Sequence, residues 1–376
     1  MKIALDGLPL SDTLTGVGHY TLELARHLAR SSADEVFVVS PRGFIASMES
    51  ETGSPTNLHL TRPTISPLTR YWWSIGLPRY IRKNEIEIFH GTNFEVPLRG
   101  KCPSVITIHD LSMVLHPQTH NRRRVRRARQ RLPIMARTAT MVVTPSEAVR
   151  QEVHQHLEIP LDRIVTIPEA ARSTFHRQDP ELTDKVRKRL EITTPFVLYV
   201  GTVEPRKNLL TLVRAFEDVL SASDFSLQLV IAGRKGWMVD DLFRHVKQSP
   251  AAEQIIFTGY LSDDDLCALY SSCVLFVYLS LYEGFGLPPL EAMACGAPVI
   301  ASRIPSLTET VGEAALLVSP TDVRELALNI RSLLQDEAVR TQLARKGRQR
   351  VSELSWDRTA RLTRAVYDQA LARTAR

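Results

Sequence analysis

The 376-residue sequence predicts an α/β protein made of two doubly wound domains facing a central cleft, and three observations carry that expectation. Short apolar, β-branched runs alternate along the whole chain with segments of helical period, the pattern of βαβ units and parallel sheets. The runs fall into two series, separated by a more polar stretch with several breakers, "EAARSTFHRQDPELTDKVRKRLEITTP". The length is sufficient for two cores of ordinary size. The boundaries expected are a first domain at 1–170, a linker at 171–194, a second domain at 195–354 and a terminal helix at 355–376.

In the first series the strands are "KIAL", "EVFVVS", "NLHL", "IEIFHG", "SVITIHD", "MVVTPS" and "RIVTIPE". The second series is "FVLYVGT", "LQLVIAG", "QIIFTGY", "VLFVYLS", "PVIAS" and "ALLVS". Amphipathic helices lie between them, such as "NLLTLVRAFEDVL" and "SDDDLCALYSS", and the stretch from Ser355 reads as one more. Ligands of such sheets sit beyond the carboxyl ends of the strands, so the residues just after each strand are the candidates for chemistry.

Composition removes several classes of function. No run of 18 apolar residues appears, so nothing is expected to span a membrane. The start "MKIALDGLPL" lacks the apolar core and small-residue cleavage site of a secretory signal, which points to an intracellular chain. Four cysteines form no CxxC pair and the 11 histidines no tight cluster, so neither disulfides nor a structural zinc site are expected. A net charge of +6 suits anionic small molecules, nucleic acid or an anionic surface, without choosing among them.

The densest motif is "LYEGFGLPPLEAMACGAPVIAS", residues 281–302. The buried strand "VLFVYLS" delivers "LYEGFG" at its carboxyl end. Pro288 and Pro289 suit a helix start, since a proline in the first turn gives up no needed N–H. Gly296 stops that helix and "PVIAS" is the next strand. Glu283 is then expected in the loop above the sheet and Glu291 in the first helical turn, without a shared helix face. The N–H groups of Phe285, Gly286 and Leu287 approach a helix N-terminus that favours phosphate, and Gly284 and Gly286 let backbone come close to a ligand. Carboxylates beside such a site suit sugar hydroxyls better than the anion. The features describe a nucleotide-sugar pocket; the plainer reading is a capping Glu291 and a solvated Glu283.

The spacing Glu283-x7-Glu291 resembles the paired-glutamate motif of the retaining glycosyltransferases of family 4, which have the GT-B fold. "TGVGHYTLELARHL", "FHGTNFEVPL", "VITIHDLS", "TPSEAVRQEV", "YVGTVEPRKNLLTLVRAF", "VIAGRKGW" and "FTGYLSDDDLCALYSSC" come in the family's order, so the resemblance covers almost the whole chain. It implies two Rossmann-like domains, with the terminal helix crossing back to the first. By the same resemblance Glu291 would hold the donor's ribose hydroxyls and Glu283 the hydroxyls of the donor sugar.

Other strand ends complete the expected site. Arg206 and Lys207 of "GTVEPRKN" are placed where a diphosphate could lie; fixed cations there stabilise a departing diphosphate more than the bound donor. A solvated Arg-Lys pair opening a helix is the alternative. Many relatives carry arginine at the position of Thr202, which leaves open whether Arg206 or Arg234 of "AGRKGW" is the second clamp. Gly16 and Gly18 would let the first domain's backbone approach the donor's phosphates, or form a plain connection. A dinucleotide fingerprint would need glycine at Thr21 and an acid after "VFVVS", so NAD or FAD is a weak fit and no cofactor is expected. His109 of "VITIHD" could bond a donor hydroxyl or position the acceptor, and in relatives the matching histidine contacts the transferred sugar; a buried structural histidine is the alternative. The same choice applies to His90 and Asn93. Asp263-x-Asp265 after Ser262 reads as a helix cap with dipole-complementing acids, and no metal site is expected. Gly259 and Tyr260 are the place for the donor base to stack.

Seven arginines crowd residues 122–131, with the aromatics of "YWWS" at 71–74 in the same half. Arg123, Arg126, Arg127 and Arg131 would meet an anionic membrane or the pyrophosphate of a lipid-linked acceptor, with Val125, Ala128 and Leu132 as apolar surface among them, or else form a solvated face. Nucleic acid is not expected, because no binding motif accompanies the charge. The combined expectation is a metal-independent hexosyltransferase that retains anomeric configuration by front-face attack. It would move mannose, with GDP-mannose as first choice of donor, onto a glycan or lipid-linked saccharide in polysaccharide or lipopolysaccharide synthesis. Its place would be the cytoplasm, at the inner face of the membrane. The rivals are a nucleotide-sugar epimerase on the same fold and a non-catalytic polyanion-binding protein.

Overall fold

The computed structural model describes residues 1–12, 14–44, 55–63, 71–100, 102–222 and 226–374. Thr13, inside the predicted glycine-containing connection, and the last two residues of the predicted terminal helix lie outside them. The chain forms two compact units. One comprises Met1–Val114, Arg123–Glu169 and Ser355–Arg376; the other comprises Leu115–Arg122 and Ala170–Leu354.

All thirteen predicted strands are present. The first unit holds β1 (Lys2–Asp6), β2 (Glu35–Val39), β3 (Leu58–Thr61), β4 (Ile88–Gly91), β5 (Ser104–Thr107), β6 (Met141–Thr144) and β7 (Ile164–Thr166). They make one sheet in the order β3-β2-β1-β4-β5-β6-β7, parallel at every pairing. The second unit holds β8 (Phe196–Val200), β9 (Gln228–Ala232), β10 (Ile255–Gly259), β11 (Leu275–Tyr278), β12 (Val299–Ser302) and β13 (Leu316–Val318). These pair in parallel in the order β10-β9-β8-β11-β12-β13. Both are the Rossmann-like sheets expected.

Every residue of β4, β5, β6, β8, β11 and β12 is buried, because helices cover both faces of a parallel sheet. That is why these strands read as continuous apolar runs without alternation. The covering helices are amphipathic: Leu209–Ser221 buries Leu209, Leu212, Val213, Phe216 and Val219 along one stripe. Side chains cap several of them. The Ser262 hydroxyl accepts from the Asp265 N–H at 3.2 Å, as its sequence pattern predicts. The polar stretch between the two series carries its own helix, Pro180–Arg189, which belongs to the second unit and buries Thr183 and Val186.

The terminal helix Trp356–Thr374 is part of the first unit, where it lies along the helix Gly16–Ser31. Trp356 meets Tyr20 edge-on at 5.9 Å, and His27 Nδ1 is 2.6 Å from Asp357. A buried polar chain ties the helix to the sheet. His90 Nδ1 is 2.7 Å from the Tyr367 hydroxyl, His90 Nε2 is 2.7 Å from Thr107 Oγ1, and Thr107 Oγ1 is 2.9 Å from the Tyr20 hydroxyl. Burial pushes the His90 pKa down to about 3, so the ring is neutral and donates through one nitrogen while accepting through the other. His90 is therefore structural, the alternative its sequence context left open.

Tyr367→Phe should destabilise the protein by about 1–3 kcal/mol, because it leaves His90 Nδ1 buried without a partner. Chemical denaturation of the two proteins checks this; an unchanged midpoint would show that the chain of hydrogen bonds contributes nothing.

Candidate active site

In the second sheet the strand order reverses between β8 and β11, the switch point at which ligands of such sheets bind. The loops after these two strands deliver Arg206 and Lys207 from one side and Glu283 from the other. Lys207 Nζ donates to Glu283 Oε1 at 2.5 Å and to the Tyr278 hydroxyl at 2.6 Å. Arg206 Nη1 donates to Glu283 Oε2 at 2.9 Å and to the Tyr282 carbonyl at 2.8 Å. Its Nη2 donates to Glu204 Oε1 at 2.8 Å. The Leu281 N–H bonds the Arg206 carbonyl at 2.8 Å, joining the loops through backbone as well. Lys207 is 8% exposed and the Arg206 side chain 12%, so the Arg-Lys pair is not the solvated one that the sequence left open.

Two carboxylates here answer two cations. Burial alone would raise the Glu283 pKa, but the charges of Arg206 and Lys207 outweigh it and hold the group at about 2. Burial lowers the Lys207 pKa, and Glu283 opposes that shift. Since Glu283 is depressed in the folded state, its contribution to stability is present above the ordinary carboxylate range and is lost as pH falls towards 2.

The 281–302 segment follows its predicted path. Gly286 has φ +111°, a left-handed conformation that favours glycine, and a Cβ there would lie 2.4 Å from Leu307 Cδ2. The helix is Leu287–Ala294, with Pro288 in its first turn and Gly296 at φ +85° just past its end. Ser306 Oγ donates to the Glu283 carbonyl at 2.5 Å and Thr310 Oγ1 to the Phe285 carbonyl at 2.8 Å, so helix Pro305–Val311 fixes the turn through Phe285. Gly284 and Phe285 are buried in it.

Glu291 differs from expectation in one respect. It is the fifth residue of its helix, past the first turn, so the capping reading fails. Its carboxylate is buried and meets Arg172 Nη2 at 3.4 Å and the Tyr270 hydroxyl at 3.5 Å. Arg172 is in turn held by Asp263, at 2.5 Å and 3.1 Å.

The remaining second-unit candidates separate from this cluster. Arg234 is exposed and stacks over the ring of Tyr260 at 4.6 Å, and Tyr260 is 57% exposed. Arg206, not Arg234, stands beside Lys207. Asp263 and Asp265 are paired with Arg172 and Arg189, and no group of three metal-ligating side chains occurs among the described residues.

In the first unit Gly16 begins the helix Gly16–Ser31, and a Cβ added to it would meet nothing within 4 Å. Gly18 is needed by the protein's own packing: a Cβ would meet Leu14 Cδ2 and the Pro9 carbonyl at 3.0 Å. His109 has both ring nitrogens engaged, Nε2 donating to the Thr92 carbonyl at 2.8 Å and Nδ1 at 3.2 Å from Glu169 Oε1. Burial would lower its pKa, but Glu169 and the Thr92 carbonyl overcome that and raise it. Tyr20 and Phe94 meet the ring edge-on at 4.7 Å and 6.0 Å, and Phe94 is held at φ +61°. Such a conformation costs a bulky residue on the order of 1–3 kcal/mol.

The arginine run forms the helix Arg122–Thr138, and here the sequence expectation needs correction. Val125 and Leu132 are buried, at 8% and 7% exposure, and pack inward, while Ala128 is half-buried, so two of the three expected apolar residues offer no surface among the charges. Arg131 forks onto Glu95, with Nε donating at 3.0 Å and Nη2 at 2.5 Å, so it braces the loop after β4. Arg123, Arg126 and Arg127 are exposed.

Glu204, Tyr278 and Arg172 were not anticipated. Glu204 lies inside the quoted "GTVEPRKN" and Tyr278 inside "VLFVYLS", so both were open to notice; Arg172 has no local signal, since its carboxylate partners lie 91 and 119 residues away.

Comparison with known proteins places the chain among glycosyl-transferring enzymes. Residues 14–171 match the family model Glycosyltransferase Family 4, and residues 183–350 match Glycosyl transferases group 1. The chain is 33% identical over 379 residues to O-antigen chain mannosyltransferase B of Escherichia coli, spanning 98% of this chain and 99% of the relative. It is 28% identical to the MMP alpha-(1->4)-mannosyltransferase of Mycolicibacterium hassiacum, across the full length of both. The fold is similar to that of sucrose-phosphate synthase from Thermosynechococcus elongatus, with a TM-score of 0.78, 23% identity and 99% of each chain covered.

Glu283→Gln should destabilise by about 3–5 kcal/mol, since it strips the buried Lys207 of its carboxylate and Arg206 of one of its two. Adding Lys207→Met to that variant should recover part of the loss, with a coupling above about 1 kcal/mol in a double-mutant cycle. Strictly additive effects would mean that the ion pair is not energetically coupled.

Proposed function

This chain belongs to glycosyltransferase family 4, with the two Rossmann-like domains of the GT-B fold, and we propose that it transfers a mannosyl group from a nucleotide sugar to a growing surface polysaccharide, with retention at the anomeric carbon. It is a glycosyltransferase; the donor, the stereochemistry and the acceptor are the proposal. The observation that carries it is the buried Lys207–Glu283–Arg206 cluster at the switch point of the second sheet. The names of the Escherichia coli and Mycolicibacterium hassiacum relatives favour mannose, and the former favours an O-antigen-type acceptor. GDP-mannose is the first choice of donor.

In this reading the donor's diphosphate competes with Glu283 for Lys207 and Arg206. The carboxylate it displaces turns to the hydroxyls of the donor sugar, and Glu291 accepts from the ribose. As the glycosidic C–O bond breaks, negative charge grows on the diphosphate, and the two cations stabilise that charge more than the bound donor. Their charge takes the part a divalent ion would otherwise play, so turnover is proposed to survive EDTA treatment. The acceptor hydroxyl attacks on the face the diphosphate leaves, and the departing phosphate oxygen takes the hydroxyl's proton. The turn Gly284–Leu287 is assigned to the phosphates, Tyr260 with Arg234 to the base, and Gly16 and Gly18, at the start of the helix Gly16–Ser31, to a further contact with the donor. His109 is assigned to sugar recognition. Because both its nitrogens are bonded within the protein, it would meet a sugar hydroxyl only by exchanging its bond to the Thr92 carbonyl or to Glu169, and it is not read as a general base.

The assay is release of GDP from GDP-mannose with and without a mannose-terminated acceptor, and NMR of the new anomeric centre. Release that depends on acceptor, with retained configuration, supports the reading. Turnover of the donor alone to an epimer supports the epimerase rival, and binding without turnover the polyanion-binding one. Lys207→Ala should lower kcat by about 10²–10³ at saturating donor; a near-normal kcat would remove Lys207 from the diphosphate.

The exposed arginines are proposed to draw the first unit to an anionic membrane carrying a lipid-linked acceptor. Each contributes on the order of 1 kcal/mol near such a surface, less as salt rises. Replacing Arg123, Arg126 and Arg127 by Gln, with Arg131 left to brace its loop, should reduce flotation with anionic liposomes and leave donor affinity intact. Unchanged flotation would make the run a solvated face.

A further inference from the structure

The chain Asp263–Arg172–Glu291 in the second unit is larger than a salt bridge needs to be. Asp263 takes two guanidinium nitrogens, at 2.5 Å and 3.1 Å, and so fixes the plane of Arg172. Phe175 supports that plane from one face, with its ring centroid 4.7 Å from the guanidinium carbon. What this fixed cation presents to Glu291 is a single nitrogen at 3.4 Å. The other oxygen of Glu291 has the Tyr270 hydroxyl at 3.5 Å. Both contacts are long, so a buried carboxylate spends little of its accepting capacity on the protein. Arg172 is 9% exposed and its Nε has no hydrogen-bond partner, although a buried guanidinium normally finds one for each N–H. The arrangement favours charge next to Glu291 over tight bonding to it.

We propose that Arg172 is a positioning residue for donor binding: anchored by Asp263, it keeps the Glu291 carboxylate ionised and oriented to accept two vicinal ribose hydroxyls of the nucleotide. This rests on the assignment of Glu291 to the ribose. The physical need is clear from the surroundings. Burial raises the pKa of Glu291 above the usual carboxylate range, Arg172 opposes the rise, and Asp263 adds to it. Tyr270, Cys267 and Cys295 are the other titratable groups facing it, and none carries positive charge. Without Arg172 the carboxyl takes up a proton at higher pH. A protonated carboxyl offers one acceptor fewer to a pair of hydroxyls that both donate.

The test is calorimetric titration of GDP and UDP between pH 6 and pH 8, carrying forward whichever binds the wild type more tightly at pH 8. Wild type sets the reference profile, since the terminal phosphate of the nucleotide itself titrates at about pH 6 and does so equally for every variant. Arg172→Met should match it most closely at pH 8 and weaken as pH falls, by up to about tenfold per unit below the raised pKa. Arg172→Lys keeps the charge and should restore the wild-type profile, at somewhat lower affinity for want of the fork. Glu291→Gln should bind weakly at every pH. If Arg172→Met loses affinity equally at all pH values, or loses none, Arg172 acts only in packing and the inference is overturned while the ribose assignment stands. If Glu291→Gln binds as well as wild type, or neither nucleotide binds wild type, the ribose assignment falls and the inference with it.

Discussion

Between β8 and β11 two carboxylates answer two cations: Glu283 is shared by Arg206 and the buried Lys207, Glu204 takes the other arm of Arg206, and the surrounding loops take their shape from that arrangement. A buried ion alone costs several kcal/mol to remove from water, so Lys207 and Glu283 are placed together or not at all. The Leu281–Arg206 backbone bond joins the two loops, and Ser306 and Thr310 hold the turn that follows. In the proposed reaction this makes donor binding an exchange of partners. The diphosphate takes over cations that carboxylates already answer, so these loops fold around balanced charges before the donor arrives.

Most of the fold was legible because fully buried parallel strands are unmistakable as short β-branched runs, and because the gaps between them have helical period. The stretch from 171 to 194 was harder to read: its helix Pro180–Arg189 buries only Thr183 and Val186, too narrow a stripe to stand out from a polar linker. The arginine helix shows the opposite error. Val125, Leu132 and Ala136 recur at helical spacing and form its packing face, so two of the three apolar residues that suggested an interfacial surface, Val125 and Leu132, were already committed to the core, and only Ala128 is half-buried. The pattern was visible; what it faced was not.

The places of Glu283, Lys207 and the glycine turn could be read from sequence because each lies in the loop that follows a strand. Partnership was beyond reach. That Lys207 and Arg206 share Glu283, that Arg131 braces Glu95, and that Arg172 stands at Glu291 all depend on residues between 36 and 119 positions apart meeting after the sheets form. The same distance hid the state of His109. A histidine after a strand reads as available chemistry, and only the fold reveals that both nitrogens are already bonded.

The return of the helix Trp356–Thr374 to the first unit has a temporal meaning. During synthesis the strands of the first sheet emerge early, yet Tyr20 and His90 lack their partners Trp356 and Tyr367 until the whole second unit has been made. At roughly 5–20 residues per second that delay is on the order of ten seconds or more. Through it the face of the helix Gly16–Ser31 that Trp356–Thr374 will cover stays open. The second unit is almost continuous in sequence and is complete first. A chaperone acting on this nascent chain would therefore find its work at the beginning of the sequence, on a domain that is waiting for its own last helix.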